Sequence, residues 1–522
     1  MPLSDLTVSL LLAVIPLSGV IFALYSNYQS WLKSPIRGLP YPPGPPLLLG
    51  SANQALKSQA WITYTEWSKK YGDIMYLNIY GEHTVILSNL DDTVELLERR
   101  SRVYSSRQKN PYIKLMGWDF NVGLIPYGDL WRRHRKLFQR FFRPKASVQY
   151  EPIQTAKIHN LLHDLLTTPS NFIQHCKKNA STMIMAILYG HDISDEMSTH
   201  FASLAENSVR ELSSSIRPGG YAVSYIPILR HLPAWFPGAG FQRHAAEVRK
   251  LTTQMKDIPL DYVGKGLLHG TSSASLVSDL LENCYVQREY DVIKDFAATA
   301  FAAGADTTVS ALESFFLAMS LFPEIQKKAQ KEIDQVIGVT RLPTTADRPA
   351  LPYVEAVYRE LMRWAPVTPL NLEHTTTEDD IYKGFYIPKG TAVYANTWAL
   401  TRNEEKYPNP ELFNPDRFFT ADGQLNNDDT VLTFGFGRRI CPGRHLASTT
   451  VWLTIVSVLA TFDLKGSKNK ETVPISVVER LADGLIVHPL PFECDIIPRR
   501  GNVKTLIREA VGNRGSNGDA KA

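Results

Sequence analysis

A mainly α-helical chain with a few small β-sheets (an α+β fold) is the class that this 522-residue sequence predicts. Three observations carry it. Asp291 to Phe322 is one continuous helical pattern stopped by Pro323, and at about 1.5 Å per residue it runs roughly 48 Å, enough to cross a whole domain. Residues 145 to 290 read as successive helices, and Arg444 to Phe462 as another, almost wholly apolar. Strand-like alternation is short and local, as in IMYLNIYGEHTVILSN from Ile74 to Asn89.

Composition bounds the function. An apolar share of 44% with 21% charged residues is that of a globular chain with a sizeable core. A net charge of +4 is too small at this length to argue for nucleic acid, and none is expected as a partner. Cys176, Cys284, Cys441 and Cys494 lie far apart with no framework spacing, which points to a reducing compartment. No internal repeat is visible.

In chain order, Leu6 to Tyr25 is uncharged over 20 residues, about enough to span a bilayer. A cleaved signal peptide is the competitor, but its apolar core is shorter and a basic stretch precedes it. Here the early charge is Asp5, whereas Lys33 and Arg37 follow the run, which predicts an anchor with the remainder in the cytosol. The expected organisation is an anchor over 1–32, a proline-rich hinge over 33–50, a catalytic domain over 51–500 and a disordered polar tail over 501–522. A helix (WITYTEWSKKYG) leads into a hairpin turning at Tyr80-Gly81. Residues 103 to 128 are irregular yet rich in Tyr112, Leu115, Met116, Trp118, Phe120 and Leu124, so this loop wants a partner, core or ligand. Trp131-Arg-Arg-His-Arg-Lys136 opens a helix on which Trp131 and Arg135 share a face. Tyr225 to Gly238 is apolar and broken by prolines, readable either as a buried loop or as a membrane-touching one. Gly304, mid-helix at a cost of about 1 kcal/mol, needs a reason, and close helix packing is one. Glu360 and Arg363 are an i, i+3 pair, and Asp379 to Val393 reads as two strands around turns at Lys383-Gly384 and Pro388-Lys-Gly390.

The stretch around which the rest is organised is Phe434 to Ala447, FGFGRRICPGRHLA. Gly435 and Gly437 permit positive φ and close backbone approach, and Cys441 sits on a loop that opens a helix. The helix dipole with Arg438, Arg439 and Arg444 is expected to lower the thiol pKa, and the thiolate is the form that ligates metal. His445 alone does not make a zinc site of it, whereas a single axial thiolate to heme iron needs only one cysteine.

Phe434, Gly437, Arg439, Cys441 and Gly443 match the heme-binding signature Phe-x-x-Gly-x-Arg-x-Cys-x-Gly, and in this the chain resembles the cytochromes P450. The resemblance covers roughly residues 33 to 500. It implies the P450 fold with an N-terminal transmembrane helix and heme b held by the Cys441 thiolate, whose electron donation favours O–O cleavage. Trp131, Arg135, His374, Arg439, Phe434 and Gly435 would hold the cofactor, the guanidinium forks meeting its carboxylates. Ala303-Gly-Ala-Asp-Thr-Thr308 matches the family's oxygen-activation motif, in which the helix bulges and Asp306 and Thr307 order water and deliver protons. Leu115, Met116, Phe120, Phe296, Phe301, Ala302, Val367, Leu370 and Leu485 would line an apolar substrate pocket. Glu360, Arg363 and Arg417 would form a buried structural triad. The wording around Leu39 to Pro46, Leu232 to Gly240 and Thr376 to Thr391 looks most like fungal members, which often tailor terpenoids or polyketides.

The function so implied is a monooxygenase of the endoplasmic reticulum membrane, single-pass with a cytosolic catalytic domain. It would use O2 and NADPH-cytochrome P450 reductase, with cytochrome b5 as a further electron donor. Arg132, Arg133 and Lys136, with Arg438 and Arg444, would offer that reductase a basic dock. The rival functions are a reductase-independent heme-thiolate isomerase or dehydratase, against which Asp306-Thr307 argues, and a heme sensor or carrier without turnover.

Overall fold

The structure is a computed structural model that describes residues 38–45, 59–79, 81–190, 195–215, 221–224, 226–466 and 477–512. Its longer helices are α1 (Ala60–Tyr71), α2 (Asp129–Phe142), α3 (Glu151–Thr167), α4 (Phe172–Tyr189), α5 (Asp195–Ser215), α6 (Gly240–His269), α7 (Gln287–Leu321), α8 (Pro323–Val336), α9 (Pro352–Trp364), α10 (Arg444–Thr461) and α11 (Val503–Gly512). The mainly helical expectation with small sheets therefore holds. Proline opens α8 and α9, where its fixed φ suits the first turn and its missing N–H costs nothing.

The centre of the molecule is α7. Eight alanines and four phenylalanines from Phe296 to Ala318 leave almost no polar face, and from Phe296 to Met319 nearly every side chain is buried. A helix apolar all round must be surrounded; α4, α5, α6, α10 and α9 pack on it. Gly304 is explained by that packing, since a Cβ there would stand 3.0 Å from Ile184 Cγ1 on α4. No break accompanies it. The helix stays α-helical through Ala303–Thr308, and the bulge that the resemblance implied is absent. Thr307 donates its hydroxyl hydrogen bond to the Ala303 carbonyl, 2.7 Å away, one turn back along the same helix.

Strands β1 (Ile74–Ile79) and β2 (Glu82–Leu87) form the expected antiparallel hairpin, which extends through β6 (Ala392–Ala395), parallel to β2, to β3 (His374–Thr375). Strands β4 (Asp380–Tyr382) and β5 (Phe385–Ile387) pair across Lys383 and Gly384, both at positive φ, as a two-residue hairpin turn requires. Strands β7 (Phe462–Gly466) and β8 (Cys494–Pro498) make a third small sheet.

Both ends of the chain qualify the expectations. The anchor at 6–25 and much of the hinge lie outside the described residues, among which no single helix is long and apolar enough to cross a membrane. The part of the hinge that is described is no loose spacer. Tyr76 N donates to the Pro43 carbonyl and Tyr386 N to the Pro40 carbonyl, both at 2.8 Å, and Tyr41 stacks on Tyr76 with ring centres 4.6 Å apart. Expected disorder from residue 501 gives way to α11 over its first part. Val503 and Ile507, four residues apart, are buried where α11 packs on α3, and that one-turn apolar pair sufficed to order it. The loop around Pro227 to Gly238 is not a buried one: Ile228 and Trp235 are 71% and 79% exposed.

Candidate functional site

Between α7 and the loop that leads into α10 lies a cavity of about 370 Å³, within the range of small-molecule sites. Thr299, Ala300, Ala303, Gly304 and Thr307 of α7 form one wall, and Phe434, Gly435, Cys441 and Gly443 the opposite one. Trp131 and Arg135 reach it from α2 as the i, i+4 spacing requires.

The loop owes its shape to two glycines, though for different reasons. Gly435 has φ +83° beside Asn371, while Gly437 has φ +54° and lies against the Leu97 carbonyl, to which a Cβ would come within 2.1 Å. The close approach at Gly437 is thus to protein backbone, not to the cavity. Gly437→Ala is expected to displace the whole loop, since it adds a left-handed strain of about 1–3 kcal/mol to a clash that backbone cannot relieve. The check is heme content per purified chain, which should fall well below that of the unsubstituted protein.

Of the four cysteines, Cys441 alone lines the cavity. Burial pushes its thiol pKa up, against the Gly443 N–H and the charges of Arg135 and Arg444, which pull it down. The expectation of a lowered pKa is therefore corrected. Arg438 and Arg439 do not contribute because they point elsewhere. Arg438 donates to the Tyr127 hydroxyl, and Arg439 donates to the carbonyls of Ser105, Val122 and Ile125 at 2.7 to 3.0 Å. A thiol in such surroundings becomes a thiolate when a metal cation takes the place of its proton.

One edge of the cavity gathers buried cations. Arg107 donates to the carbonyls of Gly123 and Glu373, Arg439 lies over the Trp131 ring at 4.8 Å, and Arg135 Nε is buried with no hydrogen-bond partner. Among the described residues none of these three guanidiniums has a carboxylate within 4 Å. Burial first, then mutual repulsion, drives Arg439 down to about 8; burial takes Arg107 to about 10. His374, pressed between burial and the same two arginines, falls well below its usual value, and its Nδ1 faces the Tyr104 carbonyl at 2.6 Å. Like charges crowded in a dry site need an anion. A planar dianion carrying a metal above Cys441, as heme is, fits this donor set: thiol below, unpaired guanidinium at the edge, glycine-bordered wall beside it.

Sequence reasoning missed Arg107, which carried no motif of its own. Of the other expected cofactor contacts, Trp131, Arg135, His374, Arg439, Phe434, Gly435 and Cys441 all line the cavity. Thr307 lines it too, but Asp306 does not; its carboxylate lies 3.3 Å from His488 Nε2. Among the expected pocket residues Ala302, Val367 and Leu485 line it. Leu115, Met116, Phe120, Phe296, Phe301 and Leu370 do not, and each has a physical reason. The short Pro111–Leu115 helix turns Met116 into the core, and the Leu115 carbonyl accepts from Arg249 on α6. Phe120 is sandwiched between Trp118 and Lys256. Phe296 packs on Phe138, Phe141 and Phe142 of α2, and Phe301 on Tyr189 of α4. Leu370 turns toward the core beneath the main sheet, leaving Thr368, Asn371 and Leu372 to face the cavity.

Outside the cavity, Glu360, Arg363 and Arg417 come together as expected. Glu360 accepts from Arg363 at 2.7 and 2.8 Å and from Arg417 at 3.2 Å, all essentially buried. A shallow cleft on the side of Cys441 away from α7 is lined by Arg132, Arg133, Lys136, Arg140, Arg143, Arg438 and Arg444.

A model of the family described as cytochrome P450 matches residues 40–495. The chain is 39% identical over 487 residues to cytochrome P450 monooxygenase COX2 of Coprinopsis cinerea, with 91% of this chain and 92% of that protein covered. It is 36% identical to cytochrome P450 monooxygenase COX1 of the same fungus, with 95% and 99% covered. It is 37% identical to cytochrome P450 monooxygenase 208 of Postia placenta, with 95% and 96% covered.

Proposed function

Since the chain belongs to the cytochrome P450 family, we propose that it hydroxylates a carbon of an apolar small molecule, a terpenoid or polyketide intermediate of fungal secondary metabolism. It is a monooxygenase whose cofactor is heme with an axial cysteine thiolate, and it uses O2 and a reductase as redox partner. The observation that carries the finer reading is the wall above Cys441: Val122, Leu124, Ala300, Ala303, Val367 and Leu485 surround the space with hydrocarbon, and Thr307 places a hydroxyl within it.

Heme, when bound, supplies the oxygen chemistry and the oxidation itself. This chain's residues do the rest. Cys441 would supply the thiolate to the iron, and Arg107, Arg135 and Arg439 would hold the cofactor's carboxylates, which would relieve the repulsion among the three guanidiniums. The apolar wall excludes water and holds the substrate by surface burial rather than by ionic contact. Thr307, whose Oγ1 borders the cavity and donates to the Ala303 carbonyl, would pass the proton on, and Asp306 stands one residue away, turned outward.

The membrane reading rests on the uncharged run at 6–25 and on the exposed Ile228 and Trp235, which would dip into the same surface. An anchored, single-pass enzyme of the endoplasmic reticulum with its catalytic part in the cytosol follows. The basic cleft suits an acidic NADPH-cytochrome P450 reductase, with cytochrome b5 as a second donor.

The test is co-expression with such a reductase, a panel of terpenoid and polyketide precursors, and mass spectrometry. A product heavier by one oxygen that requires NADPH and the reductase is expected. Product without reductase would mean an isomerase or dehydratase, and substrate binding without turnover a sensor or carrier. Thr307→Ala is expected to retain heme while product per NADPH consumed falls several-fold as positioned proton transfer is lost; unchanged coupling would remove Thr307 from that role.

A further inference from the structure

One half-buried ionic cluster, of which Glu313 is the buried member, lies beside the cavity. His488, two residues beyond Ile486 in the loop that brings Leu485 and Ile486 to the cavity, lies between two carboxylates of α7. Its Nε2 is 3.3 Å from Asp306 Oδ1, and its Nδ1 is 2.8 Å from Glu313 Oε2. Asp306 and Glu313 are seven residues apart, two helical turns, so one ring spans both from the side. Glu313 is 5% exposed, too buried to stand as an unpaired carboxylate. Ser310, between them, donates to the Val487 carbonyl at 2.6 Å, and Val487 N donates to the Val367 carbonyl at 2.9 Å. The loop is therefore pinned to α7 at three consecutive turns.

We propose that His488 is the positioning residue of the proton route: it fixes Asp306 at the outer wall of α7, behind Thr307, and locks the substrate-facing loop to the same helix. The inference rests on the reading of Asp306 and Thr307 as the proton-handling pair. Thr307 faces inward and Asp306 outward on adjacent positions of a regular helix, so Asp306 serves the cavity only if its carboxylate is held in one place. The side chain that holds it comes from the loop that touches substrate, so a substrate that displaces Leu485 or Ile486 also moves the contact to Asp306.

The charge state supports this geometry. Burial works to lower the His488 pKa, but hydrogen bonds and charge from Asp306 and then Glu313 outweigh it and carry it up to about 9. Among the described residues Cys176 of α4 is a further titratable group facing this cluster, on the side of Glu313. A histidine whose folded pKa is raised gives stability that is fully present below its unfolded value of about 6.5 and is lost as pH rises through about 9.

The experiment compares full-length holoprotein with His488→Gln, which keeps hydrogen bonding but loses the charge. Expected are normal heme content, a several-fold drop in product per NADPH with matching peroxide release, and loss of the fall in unfolding midpoint that the wild type shows between pH 6.5 and 9. The midpoint is read without turnover. If Thr307→Ala uncouples and His488→Gln does not, the positioning role is overturned while the proton-pair reading stands. If neither uncouples, both fall. Should His488→Gln fail to fold, Glu313→Gln is the second variant: it touches neither cavity nor Asp306, so uncoupling in it reaches the site only through His488, and normal coupling overturns the proposal.

Discussion

Cys441→Ala protein is expected to lack the thiolate-type absorption of the reduced carbon monoxide complex and to have no NADPH-dependent product. Cys176 is buried within α4, Cys494 lies in β8 and Cys284 lies between α6 and α7, so no other cysteine lines the cavity to replace it. The cation cluster at Arg107, Arg135 and Arg439 still attracts the carboxylates of a porphyrin, so partial heme retention with an altered spectrum is the expected form of the loss. Survival of the thiolate band in Cys441→Ala would remove Cys441 as the ligand and with it the assignment of the cavity.

How much of this was readable beforehand depended on whether a residue's partner was local. Cys441, Trp131 with Arg135, and the α7 motif carry their meaning in spacing along one segment, and each reaches the cavity. The pocket residues went otherwise. Phe296 and Phe301 are large and apolar, but a helix buried on every side offers such residues to its neighbours as readily as to a cavity. Helical periodicity from Thr307 points instead to Ala303, Ala300 and Thr299, the small residues that leave the space open. In the loop before α2 hydrophobicity was likewise the wrong guide: Leu115, Met116 and Phe120 close the core, whereas Val122, Gly123 and Leu124 meet the cavity.

Arg107 and His488 mark the other limit. Arg107 has its partners at Gly123 and Glu373, and His488 its partners at Asp306 and Glu313, 175 or more residues away for the latter. No period of helix or strand relates positions so far apart. The lowered pKa expected of Cys441 failed for a related reason. Counting nearby arginines assigns their charge to the sulfur, but direction decides, and Arg438 and Arg439 are spent on Tyr127 and on three carbonyls.

Glu360→Ala is expected to be the most destabilising of the triad substitutions, by about 3–5 kcal/mol, because it leaves two guanidiniums facing each other without a counter-charge in a dry core. That is a large part of the roughly 5–15 kcal/mol by which a folded domain exceeds its unfolded chain. The distances rank the partners. Arg363 holds both Glu360 oxygens and also donates to the carbonyls of Thr401 and Pro410, so Arg363→Ala leaves Glu360 only Arg417 and the Asn414 N–H and takes a donor from two carbonyls. Arg417 makes one longer contact to Glu360 and donates to the Pro408 carbonyl nearer the surface. Arg417→Ala still leaves Glu360 neutralised by Arg363, and the Asn414 N–H continues to donate to it at 2.7 Å. The expected order of loss is therefore Glu360, then Arg363, then Arg417. Urea unfolding of the three holoproteins, followed by heme absorbance and by tryptophan fluorescence, measures it. A Glu360→Ala midpoint equal to that of Arg417→Ala would mean that the second guanidinium, not the carboxylate, organises the cluster.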